Sequence, residues 1–469
     1  MTADRLPSDR LPNDLGAERA VLGGILADNA VFAEVATLIH PEDFHLPGHA
    51  AIYEAFVALQ SQVPPAPLDA VTVTAALKSS SKLNSAGGPA YLAELEGGVP
   101  TTANTLSYAR IVQEKALKRR LITACGELTD IAVDPGTDLD EMLDEAQRRI
   151  FAIAEKHQEG DLRPFHHALD HTLELIEQAC ASGGQGVTGL STGFADLDQM
   201  LTGLHPGELL ILAARPGCGK TSLALNIATN VVLRGGGGRG PTPAAVFSLE
   251  MPEDQLAMRL LSSETRVDMK RIRQGHLSPS HKEKLQHAAS QLWNAPLFID
   301  DSGSLSSFDL RTKVRRLQTK LMSQDPPSRL SLIVIDYLQL MHQRGAESRQ
   351  QEVQEISRSL KALAKELELP IIALSQLNRK VEERKGTKSK PMLSDLRESG
   401  SIEQDADVVM FIHRETDDDA EGGPPPGAQG VEVELVIAKQ RNGPTGEIPL
   451  LLFSEYTRFE NKLKDGFVQ

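Results

Sequence analysis

The segment Ala214-Arg215-Pro216-Gly217-Cys218-Gly219-Lys220-Thr221 holds the densest chemistry in the chain. An apolar run precedes it, and a helical pattern follows. A glycine-bearing loop between strand and helix turns its backbone N–H groups toward an anion, and the helix N-terminus adds partial positive charge. In such a loop Arg215 to Ser222 surround the phosphates, Lys220 reaches the terminal ones, and Thr221 offers its hydroxyl to Mg²⁺. One departure is visible. The general pattern opens on glycine, and here that place is Ala214.

Three more polar residues end apolar runs: Glu250 after Ala245 to Leu249, Asp336 after Leu332 to Ile335, and Gln376 after Ile371 to Ser375. Ligands of open parallel sheets bind outside the carboxyl ends of the strands. Asp336 therefore suits Mg²⁺, held through water. Glu250 suits the acceptance of a proton from an attacking water. Gln376 is placed to sense a γ-phosphate and to pass that information to the segment after it. Any one polar strand end is unremarkable. Their joint placement around one loop implies an ATP site.

These residues need a scaffold. From Gly189 onward, apolar runs at Leu209 to Ala214, Ala245 to Leu249, Leu332 to Ile335, Ile371 to Leu374, Val408 to Ile412 and Val431 to Ala438 are mostly separated by helical stretches. That alternation predicts an α/β domain, residues 189–469, with a mostly parallel sheet covered on both faces. Residues 14–158 read as an α-helical domain, with a helical hairpin turning at Asp134-Pro135-Gly136-Thr137. Residues 159–188 read as a linker. Its helix places Phe165, Leu169, Leu173, Ile176 and Cys180 on one face, for docking on a neighbour or on the α/β domain itself. Residues 1–13 read as a disordered tail without the apolar core of a signal peptide.

Composition sets limits. A chain of 469 residues exceeds one ordinary domain. No apolar stretch approaches bilayer length, and Cys125, Cys180 and Cys218 are too scattered for a disulfide framework or zinc cluster. A soluble cytoplasmic protein is expected. Net charge is −15, so nucleic acid is not bound by the whole surface, although a local basic track remains compatible with it. One such track lies between Gln376 and Gly400: Arg379, Lys380, Arg384, Lys385, Lys388, Lys390 and Arg397, with no aromatic residue. A track without stacking suits a motor that must release each nucleotide as readily as it grips it. Cys218, beside a helix N-terminus, is expected to favour its thiolate.

Several segments together resemble the DnaB-type helicases. They are Ser191-Thr192-Gly193-Phe194 with Asp196-Leu197-Asp198, the phosphate loop, Ser248-Leu249-Glu250-Met251, Asp336-Tyr337-Leu338-Gln339-Leu340 and Ala373 to Arg379. Asp395 to Asp407, Ala438 to Gly446 and the N-terminal run Glu18 to Gly24 extend the resemblance over nearly the whole chain. In that family the missing first glycine is normal. The resemblance implies a RecA-like ATPase ring: a homohexamer with ATP at subunit interfaces, Lys439 and Arg441 acting in trans on the neighbour's nucleotide, and Arg397, Glu398 and Gly400 contacting DNA. It also implies 5′→3′ movement on single-stranded DNA, unwinding of forked DNA, a primase partner on an N-terminal collar, and a loader or initiator. Two rivals share part of these features. A RecA- or RadA-like recombination or repair ATPase fits less well with the helical N-terminal half and the absence of zinc-type cysteines. A nucleotide-gated scaffold without turnover would have no use for Lys220, Glu250 and Arg441 together.

Overall fold

The computed structural model describes residues 11–98, 102–134, 187–235, 240–342, 348–377, 390–396, 400–414 and 430–462, with some residues between 136 and 180. The chain divides into two compact units, Met1–His171 and Thr172–Gln469.

The first unit is helical: α1 Leu15–Ala27, α2 Phe32–Leu38, α3 Pro47–Gln60, α4 Ala70–Ser79, α5 Gly88–Gly97 and α6 Thr105–Val133. Asp14 caps α1 and Asp69 caps α4, each accepting from N–H groups of the first turn. Val21, Leu22, Ile25, Ile52, Tyr53, Phe56, Leu77, Leu92 and Val112 form the core. Inside it a buried polar row is fully paired. Glu18 Oε2 lies 2.6 Å from His49 Nδ1, and His49 Nε2 lies 2.7 Å from the Tyr91 hydroxyl. The expected hairpin is represented by its first arm, α6, and Arg149 from the second stretch pairs with Glu127.

The second unit is built on one sheet. Its strands are β1 Leu209–Ala214, β2 Ala244–Ser248, β3 Leu297–Asp300, β4 Leu332–Asp336, β5 Ile371–Gln376, β6 Val408–His413, β7 Val431–Gln440, β8 Gly446–Phe453 and β9 Arg458–Asn461. Among the described residues their order is β3-β2-β4-β5-β1-β6-β7-β8-β9. The first six run parallel, and β7 to β9 return antiparallel. The parallel part is wrapped by helices, as its continuous apolar runs require. Along β1, Leu210, Leu212 and Ala214 enter one core while Leu209, Ile211 and Ala213 enter the other. The first core packs under α7 Ala195–Leu201, α8 Lys220–Arg234 and α9 Glu253–Thr265, and the second under α10 Ser307–Met322 and α11 Arg349–Leu367.

The strands expected from sequence are present, with ends moved by one or two residues. Strands β3, β8 and β9 were not expected. Phe165, Leu169, Leu173 and Ile176 are exposed in this chain. Gly236 to Gly238 of the glycine run Gly235 to Gly238, and the acidic and proline-rich stretch Glu415 to Gly427, lie outside the described residues.

Candidate functional site

Strand β1 delivers the chain at Ala214, and α8 takes it up at Lys220. The turn between them needs left-handed backbone twice, at Gly217 (φ 80°) and Gly219 (φ 89°). A side chain at Gly219 would be crowded as well, since a Cβ there would stand 3.0 Å from the Phe459 ring. The loop opens on a cleft of about 310 Å³, lined by Arg215, Pro216, Gly217, Gly219, Lys220, Thr221, Ser222, Glu250, Arg259, Tyr337 and Gln376, with Leu452, Ser454 and Thr457 also in its lining. The phosphate loop and the expected ends of β2, β4 and β5 therefore meet in one place.

Asp336 is the electrostatic centre. It is 2% exposed. Thr221 Oγ1 donates to its Oδ2 at 2.7 Å, while Oδ1 accepts no hydrogen bond and stands 3.8 Å from Lys220 Nζ. Burial pushes this carboxyl above the ordinary range, against the pull of the Thr221 hydroxyl and the Lys220 cation. Lys220 Nζ lies 3.9 Å from Glu250 Oε2 and 3.9 Å from the Tyr337 ring centre, a cation–π contact. Burial pulls the lysine downward, and Asp336 and Glu250 oppose that. Glu250 itself is half-exposed and open to water.

Some cleft residues were not singled out from sequence. Arg259, on α9, adds a second cation beside Asp336 and Glu250, and burial pulls its guanidinium downward. Its arginine sits mid-helix with no local signal. Gln339 ties the strand ends together: Nε2 donates to Ser375 Oγ at 2.8 Å, and Oε1 accepts from the Gln376 N–H at 3.3 Å. Upstream, Asp198 accepts from Ser191, from the Thr192 hydroxyl and N–H, and from the Gly193 N–H, locking the turn before α7.

Cys218 corrects an expectation. Its side chain packs against the core under the sheet, and it is absent from the cleft lining. Burial pushes the thiol up, outweighing Arg215, Arg414 and the hydrogen bond that favour the thiolate.

Lys439 and Arg441 are not in this cleft. Strand β7 runs antiparallel to β6, so Lys439 pairs with Val409 near the amino end of β6. The phosphate loop lies at the carboxyl end of β1, which is parallel to β6. The length of β1, about 17 Å, separates the two ends. Lys439 Nζ donates to the carbonyls of Glu403 and Ala406, and Arg441 to that of Gln404, at the end of the short helix α12 Gly400–Asp405. Of the basic track, Lys390 is held by Glu434 and Glu447, each at 2.8 Å, and is pushed up to about 12 by those hydrogen bonds. It is occupied within its own chain. Arg397 and Glu398 lie outside the described residues, and Gly400 opens α12.

The arrangement is that of a RecA-like nucleotide cleft, and comparison with known proteins gives the family. The DnaB-like helicase N terminal domain matches residues 10–114, and the DnaB-like helicase C terminal domain matches residues 189–461. The chain belongs to the DnaB family. A replicative DNA helicase DnaB from Geobacillus stearothermophilus is 42% identical over 463 residues, covering 98% of this chain and 96% of the relative. A replicative DNA helicase DnaC from Bacillus subtilis (strain 168) is 39% identical, covering 98% and 96%. A solved DnaB-like replicative helicase, described with its interactions with primase, superposes with a TM-score of 0.71 at 31% identity, covering 96% of this chain and all of that one. Membership of the DnaB family makes the chain a replicative, ATP-dependent DNA helicase.

Proposed function

We propose that this helicase is a homohexameric ring that hydrolyses ATP at its subunit interfaces, translocates 5′→3′ on single-stranded DNA and unwinds forked DNA. The observation that carries the ATP site is the meeting of Lys220, Thr221, Glu250, Asp336 and Gln376 in one cleft. Lys220 binds the terminal phosphates. Glu250, open to water, takes the proton of the attacking water. Gln376 ends β5 beside the phosphate loop, and the next residue, Leu377, pairs with Leu396, just before Arg397.

The buried Asp336 Oδ1 without a hydrogen-bond donor, next to the Thr221 hydroxyl, fits a hard cation. Mg²⁺ held by Thr221 and Asp336 would neutralise charge on the β- and γ-phosphates. Lys439 and Arg441, a strand's length from their own cleft, are read as cations lent to the neighbour's nucleotide. Charge developing in phosphoryl transfer is stabilised by such a late-placed cation.

DNA contact is assigned to Arg397, Glu398 and Gly400, with residues 14–158 as the collar that meets primase, 159–188 as the linker, and 189–469 as the motor. A loader or initiator is expected to open the ring. The cytoplasm is the proposed compartment. Among the described residues no single helix is long and apolar enough to cross a membrane. Unwinding of forked DNA with a single 5′ tail, a single 3′ tail or both tests the reading. Unwinding should need the 5′ tail and ATP. Unwinding from a 3′ tail alone, or DNA that leaves ATP turnover unchanged, would refute it.

A further inference from the structure

Asp407 lies between α12 and β6, at the amino end of the sheet, and is 5% exposed. A carboxylate so far from water is tolerated only with good partners. Asp407 has them on three elements. Its Oδ2 accepts from the Leu209 N–H at 2.8 Å and from Lys361 Nζ at 2.6 Å. Its Oδ1 stands 3.4 Å from Arg441 NH1. The backbone repeats the link: Asp407 N–H donates to the Leu209 carbonyl at 2.9 Å, and Arg441 N–H donates to the Asp407 carbonyl at 3.0 Å. One residue thus joins the first residue of β1, helix α11 and the turn after β7.

The consequence for Arg441 is orientation. A free arginine loses rotamer entropy when it is fixed. Here the guanidinium is already held by the Asp407 carboxylate and the Gln404 carbonyl. Its side chain is nevertheless 46% exposed, so part of the planar fork still faces outward. A guanidinium held from behind and open in front is a pre-oriented donor, and pre-orientation is what charge stabilisation in a transition state requires.

We propose that Asp407 is a positioning residue for Arg441, fixing the guanidinium in the attitude in which one subunit offers it to its neighbour's nucleotide. This rests on the reading of Arg441 as a cation acting in trans. Asp407 itself touches no nucleotide. A merely structural carboxylate would disturb its own subunit's cleft through β1. A positioning carboxylate disturbs the interface where Arg441 is lent.

The experiment uses the full-length assembled protein. Asp407→Asn keeps an acceptor for the Leu209 N–H and removes the charge behind Arg441. It should lower kcat for ATP by about 10- to 100-fold, the scale of a misplaced catalytic group, with KM changed by less than about twofold, as when an interaction made only in the transition state is lost. Asp407→Asn subunits are then mixed with Lys220→Ala subunits, which carry an intact Arg441. Turnover above that of either variant alone is the expected result, because some interfaces regain a sound phosphate loop and a sound cation. The control mixes Arg441→Ala with Lys220→Ala. If the control recovers and the Asp407→Asn mixture does not, Asp407 acts within its own subunit and the proposal is overturned while the trans reading stands. If neither recovers, the trans reading fails and takes the proposal with it. Should Asp407→Asn not assemble, Asp407→Ser, which still offers an acceptor to Leu209, is read in the same mixtures. Failure of both to assemble would make Asp407 a folding residue and overturn the proposal.

Discussion

Thr221→Val isolates the hydrogen bond at the centre of the cleft. Valine matches threonine in shape, so packing is kept and only the 2.7 Å bond to Asp336 Oδ2 is lost. Oδ1 already lacks a donor, so the buried carboxylate is left with the charges of Lys220, at 3.8 Å, and Arg259 as its compensation. A hydrogen bond to a charged group contributes about 1.5–3 kcal/mol, so the second unit should lose about 2 kcal/mol at neutral pH. With a urea slope of about 1–3 kcal/mol/M, its midpoint should fall by about 1 M. The pH dependence has a definite sign. Burial raises the Asp336 carboxyl above its ordinary 3.8, so the folded state holds this proton more tightly than the unfolded one. The stability this contributes is fully present below the ordinary carboxylate value and is lost as pH rises through the raised one. Thr221→Val removes a bond that pulls the carboxyl down, so its window should extend further upward and its deficit should shrink in acid. Urea unfolding of both proteins across acid to neutral pH measures this. Equal midpoints at neutral pH, or a deficit that grows on acidification, would refute the reasoning. With Thr221 as the proposed Mg²⁺ ligand, loss of its hydroxyl should also cut ATP turnover by about a hundredfold or more.

The Cys218 thiol, raised by burial, should alkylate slowly at neutral pH and faster as pH rises past the ordinary thiol range. Mass-spectrometric labelling rates with and without ATP measure this, and rapid labelling at neutral pH would contradict the packing. Arg397→Ala should weaken single-strand binding about equally for two unrelated oligonucleotides and flatten the log–log salt slope by about 0.7. Unchanged affinity and slope would put the DNA path elsewhere. Gln376→Ala should bind DNA normally yet lose DNA stimulation of ATP turnover, as read in paired binding and ATPase titrations.

The cleft was largely legible because its makers carry local signals. Gly217 and Gly219 mark backbone that other residues resist, and Glu250, Asp336 and Gln376 follow apolar runs that only a covered parallel sheet accounts for. The packing behind the loop was not legible. Strand β9 is four residues, Arg458–Asn461, with a single buried aromatic, Phe459, which packs where Gly219 turns. Strand β3 sits at the sheet edge and is only half-buried, so its alternation is weak. Cys218 was misjudged because closeness to a helix terminus is visible in sequence, whereas the core that covers the thiol is not. The location of Lys439 and Arg441 depends on the antiparallel return of β7, a matter of register between distant strands.

On the proposed reading of Lys439 and Arg441 as cations lent in trans, that return has a consequence for assembly. With the phosphate cleft at one end of the sheet and Lys439 and Arg441 at the other, a subunit that lends its cations is a giver on one side and a receiver on the other. Contacts of this head-to-tail kind close into a ring only when every giver finds a receiver. A closed ring then has as many complete sites as subunits. A ring with one gap has one cleft facing solvent, without a lent cation, and one Arg441 with nothing to serve. Opening the ring to admit a DNA strand would therefore silence one site and leave the others competent.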